Sequence, residues 1–124
     1  MLGHISFGVN DLERATEFYD AVMTALGYAR VFTGPRYVGY GVAGTERDNL
    51  LLILKPDGTH APGPRFHLAF VANSREAVDR FHAAALNCGG TDNGAPGLRP
   101  HYGSEYYAAF VIDPEGIRLE AVYQ

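Results

Sequence analysis

The sequence predicts an α+β fold made of two copies of one βαβββ unit. The first reason is an internal repeat, in which residues 4–27 align with residues 67–90 and His4 meets His67. The second is a change of hydrophobic period inside each copy, from the period of two of a strand to the period of about 3.6 of a helix. The third is a single linker rich in Pro and Gly, residues 55–64, between the copies.

The first copy begins with a predicted strand over residues 2–9, where apolar residues alternate with polar or small ones. Asn10 followed three residues later by Glu13 predicts a helix start, with Asn10 as the cap. Apolar residues at helical spacing continue to Gly27, a residue type that often ends helices. Three further strands are expected over residues 28–33, 36–42 and 49–54.

The second copy follows the same plan. A strand is predicted over residues 66–71, Asn73 and Glu76 repeat the cap, and a glycine pair at 89–90 ends the helix. The later strands are predicted weakly near 91–93 and clearly over 105–112 and 116–123. We therefore expect a single domain over residues 1–124, with module 1 at about 1–54, the linker at 55–64 and module 2 at about 65–124.

Composition limits the classes of function. The chain has 124 residues, a net charge of −4 and no run of Lys or Arg, so a nucleic-acid-binding surface is not expected. No apolar stretch approaches the ~20 residues that span a bilayer, and the first residues do not resemble a signal peptide. With Cys88 as the one cysteine, no intrachain disulfide is possible. We expect a cytoplasmic protein with a small-molecule partner and no nucleic-acid or membrane partner.

Three polar residues are predicted to lie on the inner face of the sheets. His4 and His67 alternate with the apolar residues of their strands, and Glu120 alternates with the apolar residues of the last strand. Two neutral imidazoles and one carboxylate suit a divalent metal ion and leave coordination positions open for substrate. The alternative is that each residue simply faces a wet concavity. The repeat relation between the two histidines favours the metal site.

Two segments carry a resemblance to a known family. These are the start of the first helix, from Asn10 to Ala15, and residues 106–122, which read YYAAFVIDPEGIRLEAV. Together with the His4 strand they resemble the vicinal oxygen chelate superfamily over nearly the whole chain. That superfamily includes glyoxalase I, extradiol dioxygenases, fosfomycin-modifying transferases and bleomycin-binding proteins.

The resemblance implies an architecture and a metal site. The two modules would form a U-shaped, partly open mixed β-barrel with the helices outside. The metal ligands would come from the first strand of each module and the last strand of the second, which correspond here to His4, His67 and Glu120. The ion would be Fe²⁺, Mn²⁺, Zn²⁺ or Ni²⁺, and the substrate would carry neighbouring oxygens. A homodimer is implied, and whether one chain or two supply the ligands stays open.

One position departs from the glyoxalase I pattern. That enzyme is similar but has a fourth ligand, a glutamate on the last strand of the first module. Aligning residues 49–54 with residues 116–121 places Ile53 opposite Glu120, and Ile cannot bind metal. The remaining His-His-Glu set resembles that of extradiol dioxygenases and fosfomycin transferases.

The loop before the strand at 105–112 supplies candidate catalytic residues. His101 could act as an acid or base near neutral pH, and Tyr102 or Tyr107 could donate a hydrogen bond to a substrate oxygen. The alternative is an ordinary polar surface loop.

Two functions follow from these observations. The first is a metal-dependent small-molecule enzyme of the glyoxalase and dioxygenase type, acting as a lyase, dioxygenase or transferase. The second is a non-catalytic, drug-sequestering protein similar to the bleomycin-binding members. For such a protein the net acidity would suit a cationic ligand, and tyrosines could stack on its ring. Neither the substrate nor the reaction follows from the sequence.

Overall fold

Two βαβββ modules follow one another along the chain, as the repeat predicts. The computed structural model describes residues 1–55 and 57–124, so residue 56 of the predicted linker lies outside the described residues. The elements are β1 (Ile5–Val9), α1 (Leu12–Ala25), β2 (Ala29–Thr33), β3 (Tyr37–Gly41), β4 (Leu50–Leu54), β5 (Leu68–Val71), α2 (Arg75–Asn87), β6 (Thr91–Leu98), β7 (Tyr107–Ile112) and β8 (Arg118–Tyr123).

The two sheets have the same topology. Their strand orders are β1-β4-β3-β2 and β5-β8-β7-β6, and in each the first and last strands of the module pair in parallel. The other neighbours are antiparallel. Within the described residues no strand pairing joins the two sheets, so β1 and β5 each keep one free edge. The α+β class with two repeated modules is confirmed, and the sheets do not close into a barrel.

One hydrophobic core joins both modules. Helix α1 packs against β2, β3 and β4, helix α2 packs against β6, β7 and β8, and the helices pack against each other. The repeat-related Phe18 and Phe81 are both fully buried in this core. Each sheet therefore has one face covered by a helix and one face turned away from it. Neither helix of the described chain is long and apolar enough to cross a membrane.

The helices start one residue later than predicted. Asp11 caps α1 and Ser74 caps α2, and each side chain accepts a hydrogen bond from the amide three residues along. The predicted caps, Asn10 and Asn73, are therefore wrong by one position. For α1 the reason is long-range: the backbone N–H and side-chain Nδ2 of Asn10 both donate to the carboxylate of Glu115, at 2.7–2.9 Å.

Strand β6 is longer than the weak segment predicted near 91–93. It runs from Thr91 to Leu98 at the edge of the second sheet, and its pairing with β7 is interrupted by register shifts around Gly94. Gly94 has a φ of 149°, a conformation that other residues rarely adopt. An edge position also tolerates Pro96, which cannot donate to the ladder. Such a strand has no clear alternation, which is why its length could not be read from the pattern.

The turn between β7 and β8 is anchored by a buried carboxylate. Asp113 accepts hydrogen bonds from the Tyr19 hydroxyl at 2.7 Å and from the amides of Glu115 and Ile117 at 2.8 and 2.9 Å. Burial raises the pKa of Asp113, while these three donors act in the opposite direction. The contact ties α1 of the first module to the turn that leads into β8. It therefore helps to fix where the residues of β8 lie.

Candidate functional site

The face of the second sheet that is turned away from α2 carries two of the three predicted polar residues, His67 and Glu120. Glu120 pairs directly with Ala69 on β5 and with Phe110 on β7, so these three side chains share one face. His67, two residues before Ala69, belongs to the same face. The neighbours of Glu120 on β8, such as Leu119, are buried in the core on the other face. The alternation predicted from the sequence is therefore present.

His67 and Glu120 are in direct contact. His67 Nε2 lies 3.0 Å from Glu120 Oε2, which is a hydrogen-bond distance when the imidazole nitrogen carries a proton. The side chain of His67 is 49% exposed, whereas that of Glu120 is 3% exposed. The pair therefore joins a buried carboxylate to an imidazole that solvent or a ligand can reach.

Tyr106 completes the surroundings of the carboxylate. Its hydroxyl donates to Oε1 of Glu120, the oxygen that His67 does not contact. Burial, and then the contact with Glu120, raise the pKa of Tyr106 to about 12, so the phenol keeps its proton at neutral pH. The sequence patterns did not single out Tyr106. Alternation along the strand predicted over 105–112 places Tyr106 and Phe110 on one face, but only the pairing of Phe110 with Glu120 shows that this is the face of the carboxylate.

Tyr107 lies on the face of the sheet opposite to Glu120. The tyrosine that reaches the carboxylate is therefore Tyr106 and not Tyr107, which was a predicted candidate. Its hydroxyl donates to Asp79 on α2 at 2.7 Å, and the Arg75 guanidinium lies 5.2 Å from its ring centre. The hydrogen bond to Asp79 raises the pKa of Tyr107. Successive strand residues point to opposite faces, so Tyr107 contacts the helix and Tyr106 contacts Glu120.

His101 and Tyr102 extend the site outward as an aromatic row. The ring centres of His101 and Tyr102 are 4.1 Å apart, and those of Tyr102 and Tyr106 are 5.3 Å apart in an edge-on arrangement. Tyr102 is 62% exposed. Tyr102 thus stands next to the tyrosine that contacts Glu120, and His101 stands next to Tyr102. Neither residue forms a hydrogen bond with His67 or Glu120.

Phe110 forms another side of the site. Its ring centre lies 6.3 Å from that of His67, and the Arg99 guanidinium lies 5.4 Å from the same ring centre. Arg99 is held by the carbonyl oxygens of Ala95 at 2.7 Å and Gly97 at 3.0 Å. The His67 imidazole therefore has an aromatic neighbour, and that ring is also in contact with a guanidinium held by backbone carbonyl oxygens.

His4 lies on a cleft of about 420 Å³ that it shares with His67. His4 is exposed and immediately precedes β1, and the cleft is lined by residues at the start of β1, along β5 and on α1, β3 and β4. We call it the β1–β5 cleft. Most of its lining is apolar, and the residues are Leu2, Gly3, His4, Ile5, Met23, Tyr28, Tyr40, Gly41, Asn49, Leu50, His67, Leu68, Ala69, Phe70 and Val71.

Two of the three predicted ligands, His67 and Glu120, have a spacing that suits one metal ion. Two ligands that each lie about 2.1 Å from one ion stand about 3.0–3.4 Å apart, and the 3.0 Å between His67 Nε2 and Glu120 Oε2 matches that spacing. Among the residues that the structure describes, however, no three His, Cys, Asp or Glu side chains converge on one point. Two of the three predicted ligands are therefore in contact, and His4 lines the same cleft as His67 without converging with that pair.

The first sheet offers no fourth carboxylate at the equivalent position. In the second sheet Glu120 pairs with Ala69, which is two residues after His67. In the first sheet Leu51 pairs with Ser6, which is two residues after His4. The position equivalent to Glu120 is thus Leu51 and not Ile53, which corrects the sequence alignment by two residues. Neither residue has a metal-binding atom, so the departure from the glyoxalase I pattern stands.

Comparisons with known proteins agree with the repeated modules. The sequence profile of the Glyoxalase/Bleomycin resistance protein/Dioxygenase superfamily matches residues 1–121. Among proteins of curated function, none matches the chain.

Solved structures share the fold. A glyoxalase/bleomycin resistance protein from Albidiferax ferrireducens is 31% identical, with a TM-score of 0.84 and coverage of 98% of this chain and 97% of that one. A glyoxalase I mutant from Zea mays is 25% identical, with a TM-score of 0.72 and coverage of 96% of this chain and 44% of that one. A glyoxalase-related enzyme from Fulvimarina pelagi is 23% identical, with a TM-score of 0.76 and coverage of 100% and 88%.

Proposed function

Because the chain belongs to the Glyoxalase/Bleomycin resistance protein/Dioxygenase superfamily, we propose that it is a metal-dependent small-molecule enzyme. The proposed ligands of the ion are His67, Glu120 and His4. The observation that carries this proposal is the contact between an accessible imidazole and a buried carboxylate, His67 and Glu120, on the open face of the second sheet. A buried carboxylate is costly unless it is paired or binds a cation.

A divalent ion at this site would act as a Lewis acid on a substrate with two neighbouring oxygens. Fe²⁺, Mn²⁺, Zn²⁺ and Ni²⁺ all accept imidazole and carboxylate ligands. With one carboxylate in the ligand set, an ion of charge +2 keeps a net positive charge, which favours an anionic substrate oxygen.

The chain's own residues would position the substrate. The β1–β5 cleft would hold its apolar part, since Met23, Leu50 and Leu68 line that cleft and His67 stands at its border. The aromatic row formed by His101, Tyr102 and Tyr106 reaches the Glu120 carboxylate through the Tyr106 hydroxyl. His101 is the candidate acid or base, and Tyr102 is a candidate hydrogen-bond donor to substrate.

An activity screen tests this proposal. Protein loaded separately with Mn²⁺, Fe²⁺, Zn²⁺ or Ni²⁺ would be assayed on catechols, adducts of α-ketoaldehydes with thiols, and fosfomycin. We expect turnover with one substrate class that is abolished by a chelator and restored by adding the ion back. Turnover that a chelator leaves unchanged would contradict the metal-dependent reaction.

A second copy of the chain is the proposed source of the third ligand. His4 does not converge with His67 and Glu120 within one described chain, and β1 and β5 both have free edges. Two apolar residues that line the β1–β5 cleft, Leu2 and Val71, are 73% and 68% exposed. We propose a homodimer that covers these edges and brings His4 of one protomer to the His67–Glu120 pair of the other.

Mixed dimers test the shared site. A dimer of one His4→Ala chain and one Glu120→Ala chain has one site with all ligands intact if each site draws on both protomers. We expect each variant alone to lose metal and the mixture to regain up to about one ion per mixed dimer, measured by elemental analysis. No recovery after subunit exchange, verified by native mass spectrometry, would place all ligands in one chain.

A non-catalytic binding protein is the second candidate function. The observation that favours it is the apolar lining of the β1–β5 cleft beside an aromatic row. Tyrosine rings of this kind can stack on a planar or cationic ligand. Tight binding of such a ligand that a chelator does not change, without any turnover, would support this candidate over the enzyme.

A further inference from the structure

Tyr106 is the second partner of the Glu120 carboxylate. Its hydroxyl donates to Oε1, while His67 Nε2 contacts Oε2. Among the residues that the structure describes, each oxygen of the carboxylate therefore has one side-chain partner. A carboxylate held at both oxygens has a fixed plane, whereas one held at a single oxygen can turn about its last bond.

We propose that Tyr106 is a positioning residue that makes Glu120 bind an ion through one oxygen only. The hydroxyl occupies Oε1, which leaves Oε2 as the oxygen that faces His67. This inference rests on the proposed function, because it assigns Tyr106 to the same metal ligand. Hydrogen-bond partners of metal ligands commonly set the orientation of those ligands.

The backbone holds Tyr106 in place for this task. Its amide donates to the carbonyl oxygen of Gly103 at 3.2 Å, and its carbonyl oxygen accepts from the amide of Arg99 at 2.7 Å. The ring rests edge-on against Tyr102. Hydrogen bonds hold the backbone of Tyr106 on both sides. Less entropy is therefore lost when its hydroxyl holds the carboxylate.

Binding through one oxygen has a chemical consequence. A carboxylate that uses both oxygens takes two coordination positions of the ion, and one that uses a single oxygen takes one. If two imidazoles and one carboxylate oxygen held an ion of about six positions, about three positions would stay open for water and substrate. The Tyr106 hydroxyl would thus keep room for a substrate that binds through two neighbouring oxygens.

Tyr107 offers a matched control. It is the next residue, it is also a tyrosine, and its hydroxyl also donates to a carboxylate, that of Asp79. Because it lies on the helix side of the sheet, the change Tyr107→Phe removes a comparable hydrogen bond without touching Glu120. Any general effect of losing a tyrosine hydroxyl at the start of β7 appears in both variants.

Cobalt binding tests the inference. Co²⁺ affinity would be measured by competition with a chromophoric chelator for the parent, Tyr106→Phe and Tyr107→Phe, and the visible absorption of each Co²⁺ complex would be recorded. We expect Tyr106→Phe to bind about 10- to 100-fold more weakly, with changed absorption bands that report a new coordination number. We expect Tyr107→Phe to match the parent in both respects. Thermal melting curves would compare folding.

Three results would overturn the inference. Equal affinity and spectra for Tyr106→Phe and Tyr107→Phe would remove the positioning role while leaving the metal site in place. Equal losses in both would show a structural effect alone. Failure of the parent to bind Co²⁺ would remove the proposed function together with this inference. Should Tyr106→Phe not fold, Tyr106→Met removes the hydroxyl with a side chain that adapts to the space, and the same losses are expected.

Discussion

Replacing Glu120 with alanine is expected to lower the affinity for a divalent ion at least about 100-fold, since removing only a partner of a ligand already costs 10- to 100-fold. Glu120 supplies the charge of the proposed site, and its Oε2 lies 3.0 Å from His67 Nε2. The change also leaves the Tyr106 hydroxyl without its acceptor. Isothermal titration with Zn²⁺ or Mn²⁺ measures the loss.

Two further variants separate charge from folding. Glu120→Gln keeps an oxygen for Tyr106 but loses the negative charge, and it should also bind metal poorly. Glu105→Ala removes a carboxylate that is 77% exposed and pairs with Arg75 at 3.5 Å, so it should bind metal as the parent does. Retention of parental affinity by both Glu120 variants would show that the carboxylate is not a ligand.

Replacing Phe18 or Phe81 with alanine is expected to destabilise the fold by about 3–5 kcal/mol in each case. Both side chains are fully buried in the one core that the helices share. The repeat places them at equivalent positions, so the two costs should be similar. Urea unfolding followed by circular dichroism measures the free energy of unfolding for each variant.

Phe32 is the control for these core changes. It is 40% exposed on β2 and stacks on Tyr37, so Phe32→Ala should cost far less than either core change. A small cost for only one of the two buried phenylalanines would contradict the equivalence of the modules. Two separate unfolding transitions in a variant would show that the two modules do not unfold together.

The two modules, and the sheet face on which each side chain lies, could be predicted because the periodicity that indicates them is local in the sequence. Alternation and helical spacing depend on residues near one another in the chain, and they placed His67 and Glu120 on the same face of the second sheet correctly. The cap of α1 could not be predicted in this way. Asn10 has the right residue type for a cap, but its side chain bonds to Thr59 and Glu115, both far away in sequence.

The strand register shows two things that the sequence pattern could not: which tyrosine contacts Glu120, and which residue of the first sheet is equivalent to Glu120. The segment pattern at 105–112 contains both Tyr106 and Tyr107, and only the pairing of Phe110 with Glu120 shows which of them reaches the carboxylate. In the first sheet the pairing places Leu51, two residues from the predicted Ile53, at the equivalent position. A shift of two residues keeps a side chain on its face, so alternation alone cannot detect it.

The position of His4 depends on contacts that no local pattern contains. Its face was predicted from the alternation of β1, but the distance between the two sheets depends on how α1 and α2 pack. The repeat relates His4 to His67 in sequence, and in the described chain the two line one cleft without converging with Glu120 on a single point. Assembly with a second copy is the proposed completion of this site.

Anomalous diffraction from crystals soaked in Zn²⁺, recorded at the zinc absorption edge, tests the metal site most directly. We predict one strong peak within about 2.0–2.2 Å of both His67 Nε2 and Glu120 Oε2, with an imidazole of His4 as a further ligand. A map at saturating Zn²⁺ with no peak between those two atoms, or with peaks only at other surface residues, would contradict the metal-dependent function.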